Sequence, residues 1–153
     1  MATNDLIQKL FGADESGVGE DSVLVSNRRQ VETFVASEAI TDGDIVCLDI
    51  SKTKDGEKML YVKKGKTDAA ATAVCIGIAD QSVAAGDDIR VVIKGFKAGA
   101  NIATGVGQGE RFVGSGTAGR GELLANSSTL PALGYVVTTA AANVAPVIVI
   151  KQI

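Results

Sequence analysis

The chain reads Gly77-Ile-Ala-Asp-Gln-Ser-Val-Ala-Ala-Gly-Asp-Asp-Ile-Arg-Val-Val-Ile93 and, 57 residues later, Gly134-Tyr-Val-Val-Thr-Thr-Ala-Ala-Ala-Asn-Val-Ala-Pro-Val-Ile-Val-Ile150. In both stretches a glycine is followed by an Ala-Ala pair, a turn residue (Gly86 or Asn143) and a β-branched run. Gly and Asn tolerate left-handed backbone and β-branched residues favour strands, so each copy predicts a strand, a tight turn and a second strand. An ancestral duplication would explain the repetition, and so would two unrelated hairpins in a chain rich in Ala and Val.

Outside these copies, short apolar runs alternate with turn signals. We expect strands near Val31–Val35, Ile45–Ile50, Met59–Lys63, Val74–Ala79, Ile89–Lys94, Arg111–Val113, Leu133–Thr138 and Val147–Lys151. Lys54-Asp-Gly-Glu57 is the strongest turn signal, because Asp-Gly between apolar runs favours the primed turn of a β-hairpin. Frequent turns without amphipathic helices between them predict an all-β fold, either a compact β-barrel or a β-sandwich.

The composition argues against catalysis. Histidine and tryptophan are absent, and aromatic residues make up 4% of a chain that is 46% hydrophobic. The commonest general base and a common zinc ligand are therefore missing, and no carboxylates cluster near another candidate ligand. We expect no catalytic, cofactor-binding or metal-binding residues, and we expect that the protein is not an enzyme.

The chain changes character near residue 30. Residues 1–30 predict an N-terminal arm, in which residues 4–11 form a short helix that ends at Gly12 and carries Leu6, Ile7, Leu10 and Phe11 on one face. Residues 12–21 are rich in glycine and acidic side chains and predict a flexible tether. A two-turn helix cannot persist alone in water, so the arm must dock on a neighbouring subunit or on its own domain. Residues 31–153 predict the β-domain, which could comprise two pseudo-repeats at about 39–95 and 96–153.

A glycine-rich segment at residues 105–121 interrupts the strand pattern. It predicts an extended loop or a glycine-interrupted hairpin. Gly105-Val-Gly-Gln-Gly109 does not have the spacing of a dinucleotide fingerprint, and Gly116-Thr-Ala-Gly-Arg-Gly121 lacks the ending of a phosphate-binding loop. Two interpretations remain open: a solvent-exposed flexible loop, or a loop that orders against a partner through Arg111 and Arg120.

The charge pattern gives little reason to expect nucleic acid or membrane as a partner. The formal net charge is −3, and no apolar stretch approaches the roughly 20 residues that span a bilayer. The first residues lack the pattern of a signal peptide, so we expect synthesis in a reducing cytoplasm. Cys47 and Cys75 lie in apolar strand-like runs and are expected as buried small hydrophobes, with no reason to assume a disulfide.

The residues from Ala39 to Gly95 resemble small capsid decoration, or cement, proteins of tailed bacteriophages. The resemblance rests on Ala39-Ile-Thr-Asp-Gly-Asp-Ile-Val-Cys-Leu48 and on Val74-Cys-Ile-Gly-Ile-Ala-Asp-Gln-Ser-Val-Ala-Ala-Gly-Asp-Asp-Ile-Arg-Val-Val-Ile-Lys-Gly95. It covers about the middle third of the chain, with an echo in Leu133–Ile150. These are turn and strand residues without a chemical signature.

The resemblance implies a compact β-domain on the outer surface of a phage capsid, where it binds the major capsid protein and stabilises the shell by bridging capsomers. It also implies a homo-oligomer, with a trimer favoured. We predict partner contacts on apolar and arginine residues of the arm and on two arginines within the glycine-rich segment: Leu6, Ile7, Leu10, Phe11, Arg28, Arg29, Arg111 and Arg120.

Two other classes of protein remain possible. A phage or bacterial adhesion or spike module would share the strands and glycine-rich loops, although it would more often display aromatic residues for stacking on carbohydrate. A small cytosolic β-barrel carrier subunit would need a modifiable lysine at a hairpin tip. Lys58-Met59 and Lys64-Gly65 lack the symmetric apolar flanks expected around such a lysine.

Overall fold

Most strands of this protein are three to seven residues long, and one strand of 14 residues runs through the middle of the fold. A computed structural model describes residues 29–66, 74–125 and 130–150. The strands are β1 (Gln30–Ala36), β2 (Ile45–Leu48), β3 (Tyr61–Lys64), β4 (Cys75–Ala79), β5 (Asp88–Asn101), β6 (Arg111–Gly114), β7 (Gly121–Leu123), β8 (Gly134–Val136) and β9 (Val144–Val149), and the helix is α1 (Asp55–Leu60). The prediction of an all-β fold is confirmed. No described helix is long and apolar enough to cross a membrane.

The first unit is a closed five-stranded barrel. Its strands follow the order β1-β3-β2-β4-β5, and an additional antiparallel pairing of β1 with β5 closes the ring. Alternate residues of β5 point inward, so Ile89, Val91 and Ile93 are fully buried while Arg90 is exposed. This alternation contributes to a mainly aliphatic core inside the barrel, which also includes Phe34.

Strand β5 continues from the first barrel into a second unit. Its N-terminal half pairs with β1, and its C-terminal half pairs with β9, with the change of partner at Lys94 and Gly95. The second unit has the strand order β5-β9-β8-β6-β7. A parallel bridge between Ile102 and Gly121 joins the two ends of this order.

The same connectivity therefore occurs twice. The order β3-β2-β4-β5 in the first unit corresponds to β7-β6-β8-β9 in the second, and the parallel β1–β3 pairing corresponds to the Ile102–Gly121 bridge. Two glycines have the same role in this pattern. A Cβ on Gly77 would lie 2.2 Å from the carbonyl oxygen of Val92, and a Cβ on Gly134 would lie 2.1 Å from that of Ile148. The duplication itself stays a prediction.

The turns of both copies have the predicted left-handed backbone. Gly86 has a φ of 90° and Asn143 a φ of 61°. The second connection is shorter by one residue, because Ile78 pairs with Val92 whereas Tyr135, 57 positions after Ile78, pairs with Ile148. The structural counterpart of Ile148 is therefore Val92, although a constant offset would align it with Val91.

The hairpin turn predicted at Lys54-Asp-Gly-Glu57 is wrong, since Asp55 and Gly56 lie in α1. Strand β2 already ends at Leu48, so twelve residues separate it from β3. The amides of Glu57 and Lys58 both donate to the carbonyl oxygen of Lys54, and most of the α1 side chains favour helix. A two-residue turn would require that the paired strands extend up to Asp55.

A disulfide joins Cys47 to Cys75, where sequence reasoning assumed none. The two residues are cross-strand partners on β2 and β4. Cys75 packs against the core of the second unit, and Cys47 is almost fully buried. The predicted burial is confirmed for Cys47, whereas Cys75 is only partly buried. Pairing depends on a strand register that the sequence does not state.

Candidate partner-binding surface

Each unit carries one row of side chains that crosses four neighbouring strands on its outer face. In the first unit the row is Val31, Val92, Ile78 and Ile45, which are successive cross-strand partners on β1, β5, β4 and β2. We call it the covered row. Val92, Ile78 and Ile45 are fully buried, although they point away from their own barrel core. They belong instead to the apolar cluster of the second unit, which packs over them.

The corresponding row of the second unit is Phe96, Ile148, Tyr135 and Arg111, on β5, β9, β8 and β6. We call it the open row. Ile148 is 47% exposed and Tyr135 43% exposed, Phe96 is half-buried and Arg111 is exposed. Among the described residues nothing plays the part that the second unit plays for the covered row.

A hollow of about 480 Å³ extends the open row at its arginine end. Arg111 and Tyr135 line it together with Glu110 and with Leu123, whose side chain is 50% exposed. Tyrosine and arginine combine apolar area with hydrogen-bonding ends and are enriched in protein interfaces. The row and hollow therefore have the composition of a docking surface for another polypeptide.

The solvent-facing part of the first unit is polar by comparison. Thr33 on β1 pairs with Arg90 on β5, and the Nε of Arg90 donates to Gln81 Oε1 at 3.0 Å. Gln81 in turn donates to the carbonyl oxygen of Asp88 at 3.0 Å. These side chains satisfy one another, so this surface is typical of a solvated strand face.

Exposed apolar side chains also occur on and near α1. They are side chains of the β2–β3 connection and of the residue that precedes β4: Ile50, Met59, Leu60 and Val74. We call this set the α1 patch. It has no cross-strand row beneath it, and none of the residues of α1 is buried. Because its side chains are about as exposed as Ile148 and Tyr135, it is a suitable control surface for the open row.

The predicted partner-binding residues fall into three groups. Leu6, Ile7, Leu10, Phe11 and Arg28 lie outside the described residues. Arg111 lies on the open row. Arg29 and Arg120 are both half-buried within the molecule.

Arg29 is held in an internal charge network. Its guanidinium pairs with Asp80, and the ammonium of Lys97 lies 3.2 Å from the same carboxylate and 2.7 Å from that of Asp42. Burial raises the pKa of Asp80, but hydrogen bonds from Lys97 and Arg29, together with their charges, outweigh burial and lower it. Arg29 thus fixes the start of β1 against the β4–β5 hairpin.

Arg120 lies at the tip of the β6–β7 hairpin, which contains much of the glycine-rich segment. The carbonyl oxygen of Arg120 accepts from the amide of Ser115, and its Nε is buried without a partner among the described residues. The neighbouring Gly119 has a φ of 77°, and its amide donates to the carbonyl oxygen of Gly65 at 2.7 Å. The tip of this segment therefore orders against the first unit of its own chain.

Only a glycine fits at position 119, because the hairpin tip approaches the first unit closely there. A Cβ at this position would lie 2.8 Å from the carboxylate of Asp44. Asp44 is buried and accepts hydrogen bonds from the amide of Thr41 at 3.0 Å and from the side chain of Asn101 at 3.2 Å. These contacts hold the hairpin tip, β5 and the start of β2 together.

Sequence reasoning missed Phe96, Tyr135, Ile148 and Leu123. A signal was present, since Val147-Ile-Val-Ile150 is an apolar run without the polar alternation of a strand with one solvated face. The identity of the exposed residue depends on the one-residue difference in register, because such a shift exchanges the two faces of a strand. The repeat pattern alone would have placed Ile148 inside the core with Val91.

Comparison with known proteins finds similarity in structure but not in sequence. No protein-family model matches the chain, and no curated protein matches it. Among solved structures, the chain is similar to the crystal structure of the head fiber gp8.5 N base in bacteriophage phi29. The TM-score is 0.51 at 13% identity, over 82% of this chain and 98% of that chain. The similarity shows a shared fold.

Proposed function

We propose that the chain is a structural protein of a phage virion that binds the outer surface of the head and stabilises the shell. The observation that carries this proposal is the fold shared with a phage head fiber base, which extends over both units. The capsid decoration proteins that the sequence resembles lie on the outer surface of the capsid, which is the location proposed for this chain. The proposed role requires binding and no catalysis.

Binding alone can stabilise a shell. A protein that binds only the intact lattice lowers the free energy of that state by RT ln(1 + [L]/Kd), about 2.7 kcal/mol per site at a hundredfold excess over Kd. Because an icosahedral shell repeats its sites many times, a modest free energy at each site becomes a large one for the particle. Bridging two capsomers from one rigid body adds interface area that rupture must break.

The two-unit architecture suits this work. Strand β5 runs through both units without a break, and the tip of the β6–β7 hairpin is hydrogen-bonded to the first unit. A body joined in this way transmits force between its ends, whereas a flexible linker would not. We propose that the open row with Arg111, and the arm residues Leu6, Ile7, Leu10 and Phe11 with Arg28, contact the major capsid protein.

Oligomerisation is part of the proposal. A symmetric homo-oligomer, with a trimer favoured, would multiply contacts with the shell through effective concentration. Size-exclusion chromatography with light scattering measures the mass of the free protein. A monomer at all concentrations would remove this part of the proposal and leave the binding role intact.

Co-sedimentation with purified phage heads tests the function, and two arginines provide a matched pair of variants. We expect Arg111→Glu to weaken binding on the order of tenfold, since desolvated interface arginines are frequent hot spots. Arg90→Glu changes the same residue type on the polar face of the first unit and should leave binding unchanged. Heads saturated with the protein should also resist thermal rupture better than bare heads. If the wild-type protein does not sediment with purified heads of the phage that encodes it, the proposal is contradicted.

A spike or adhesion module is the second candidate, because the solved relative in fold is described as the base of a fiber. Such a module would bind host cells rather than heads. Incubation of labelled protein with heads and with host cells separates the two functions, and preferential retention on cells would favour the second.

A further inference from the structure

The open row is an end surface that residues 29–66, 74–125 and 130–150 leave without the cover they give to the equivalent row. In the first unit, Val92, Ile78 and Ile45 have no exposed area because the second unit packs over them. Ile148, Tyr135 and Arg111 occupy the same positions of the second unit, and Phe96 corresponds to Val31, which is 38% exposed. In stacked repeats a terminal unit requires a distinct capping element, since its outer face has no following repeat.

A second copy of the chain does not supply an equivalent cover. The covered row is buried by the inner surface of the second unit, including Phe112, Val147 and Val149. The first unit of another copy has its inner surface closed by the β1–β5 pairing. The second unit of another copy already uses its inner surface on its own covered row.

The N-terminal arm enters the fold beside the open row. Gln30, the first residue of β1, pairs with Lys94 on β5. Phe96 lies two residues further along β5. The ion pair between Arg29 and Asp80 fixes this entry point, so the preceding residues start next to the first member of the open row.

The length of the open row agrees with the length of the predicted helix and with the reach of the tether. The open row crosses three inter-strand spacings of about 4.8 Å, which gives about 14 Å. The helix predicted over residues 4–11 would be about 12 Å long. The 17 residues between positions 11 and 29 have a root-mean-square span of about 21–25 Å as a glycine-rich coil, which is enough to bring that helix onto the row.

We propose that residues 4–11 of the same chain cap the open row in the free protein. The apolar side chains Leu6, Ile7, Leu10 and Phe11 cover Phe96, Ile148 and Tyr135. Attachment through a short tether gives the arm a local concentration in the millimolar range, so it occupies the row in preference to the arm of another molecule. Tyr135 and Arg111 each combine an apolar body with a polar end that water can solvate, so exposure of the row costs little free energy. The arm can therefore dissociate when a larger partner binds in its place.

This contact is a property of the free protein and goes beyond the proposed role in the virion. It predicts that the arm and the shell compete for the row. The contact can be measured without heads, so its failure is distinguishable from a failure to bind capsid.

Tryptophan fluorescence provides the test, because the chain contains no tryptophan. Phe11→Trp introduces a single reporter into the full-length protein. We expect blue-shifted emission and weak quenching by acrylamide, both independent of protein concentration. Ile148→Asp on this background should shift the emission to that of solvent-exposed tryptophan. Met59→Asp, in the α1 patch, replaces a side chain of similar exposure and should leave the emission unchanged.

Three outcomes would overturn the proposal. These are solvent-exposed emission of Trp at position 11 in the parent protein, blue-shifted emission that survives Ile148→Asp, and a blue shift that disappears on dilution. Far-UV circular dichroism verifies that each variant is folded. If Ile148→Asp does not fold, Tyr135→Ser replaces it, and Leu10→Trp serves as a second reporter on the same helix face.

Discussion

The two units share one strand connectivity and differ in what happens to the row on their outer face. In the first unit the row is aliphatic, and all its members except Val31 are buried under the second unit; in the second unit the row ends in tyrosine and arginine and is largely exposed. The same architecture therefore provides a joint in one place and, in the other, an exposed row that we propose as a binding surface. Position in the tandem, more than strand order, determines which role a row has.

The largest expected difference in the free energy of unfolding is between substitutions in the covered row and in the open row. Val92→Asp places a charge without a partner in the fully buried covered row and should cost about 3–5 kcal/mol or prevent folding. Ile148→Asp makes a similar replacement of an aliphatic residue by aspartate on the open row and should change the free energy of unfolding by less than about 1 kcal/mol. Urea denaturation of the two variants measures both. Similar costs would mean that the open row is covered as thoroughly as its counterpart.

A second comparison concerns the two faces of β5. Ile93→Ala removes side-chain volume from the barrel core and should cost about 2–5 kcal/mol, whereas Arg90→Ala on the solvated face should be near neutral. Denaturant midpoints provide the measurement. Equal effects at the two positions would show that the inward and outward faces of this strand are assigned wrongly.

The glycines at the start of each copy test whether the two hairpins are equivalent. Gly77→Ala and Gly134→Ala both direct a methyl group at a backbone carbonyl oxygen and should each cost about 1–3 kcal/mol. Gly56→Ala serves as the control, because this helical glycine has open space around its Cα and the substitution should stabilise by about 0.5–1 kcal/mol. Tolerance of alanine at only one of the two strand positions would indicate that the two hairpins pack differently.

The smallest expected effect depends on pH and belongs to the first unit. Asp49 is buried and accepts hydrogen bonds from the hydroxyl groups of Ser51 at 2.6 Å and Ser37 at 2.7 Å. Burial raises its pKa, but these hydrogen bonds and the charge of Lys63 outweigh burial and lower it to about 2. Because the folded pKa lies below the unfolded value, Asp49 contributes stability above about pH 4, and this contribution is lost as the pH falls toward 2.

The contribution of Asp49 is on the order of 1–2 kcal/mol. Asp49→Asn should therefore lower stability at neutral pH and flatten the decline between pH 4 and 2. Asp87→Asn, on an exposed turn, is the control. Urea midpoints across this pH range provide the measurement, and an unchanged acid profile in Asp49→Asn would contradict the assignment.

Local chemistry predicted the turns better than the surfaces. Gly86 and Asn143 were predicted as left-handed turn residues because few residue types tolerate that backbone, and the structure confirms both. Lys54-Asp-Gly-Glu57 failed because β2 ends before the turn, where the carboxylate of Asp49 bonds the side chains of Ser37 and Ser51. The sequence does not state where a strand stops pairing, so a strong local turn signal was not sufficient.

The candidate site depended on register and on packing between units. Arg111 was selected from its position in a glycine-rich segment, and it lies on the open row. Ile148 was missed because the connection before β9 is one residue shorter than its counterpart, which exchanges buried and exposed positions. No periodicity within one hairpin reveals that difference. It emerges only when both hairpins are paired with β5. Tyr135 was missed because its counterpart Ile78 is covered by packing between the units, which a single hairpin does not show.

Hydroxyl-radical footprinting of the free protein tests most directly that the open row is a docking surface occupied by the arm. The wild-type protein is compared with Phe11→Asp, and labelling is quantified at Tyr135 and Ile148, with Met59 in the α1 patch as the internal standard. We predict that labelling of Tyr135 and Ile148 increases in Phe11→Asp while labelling of Met59 stays the same. Equal labelling of the open row in the two proteins would contradict the account.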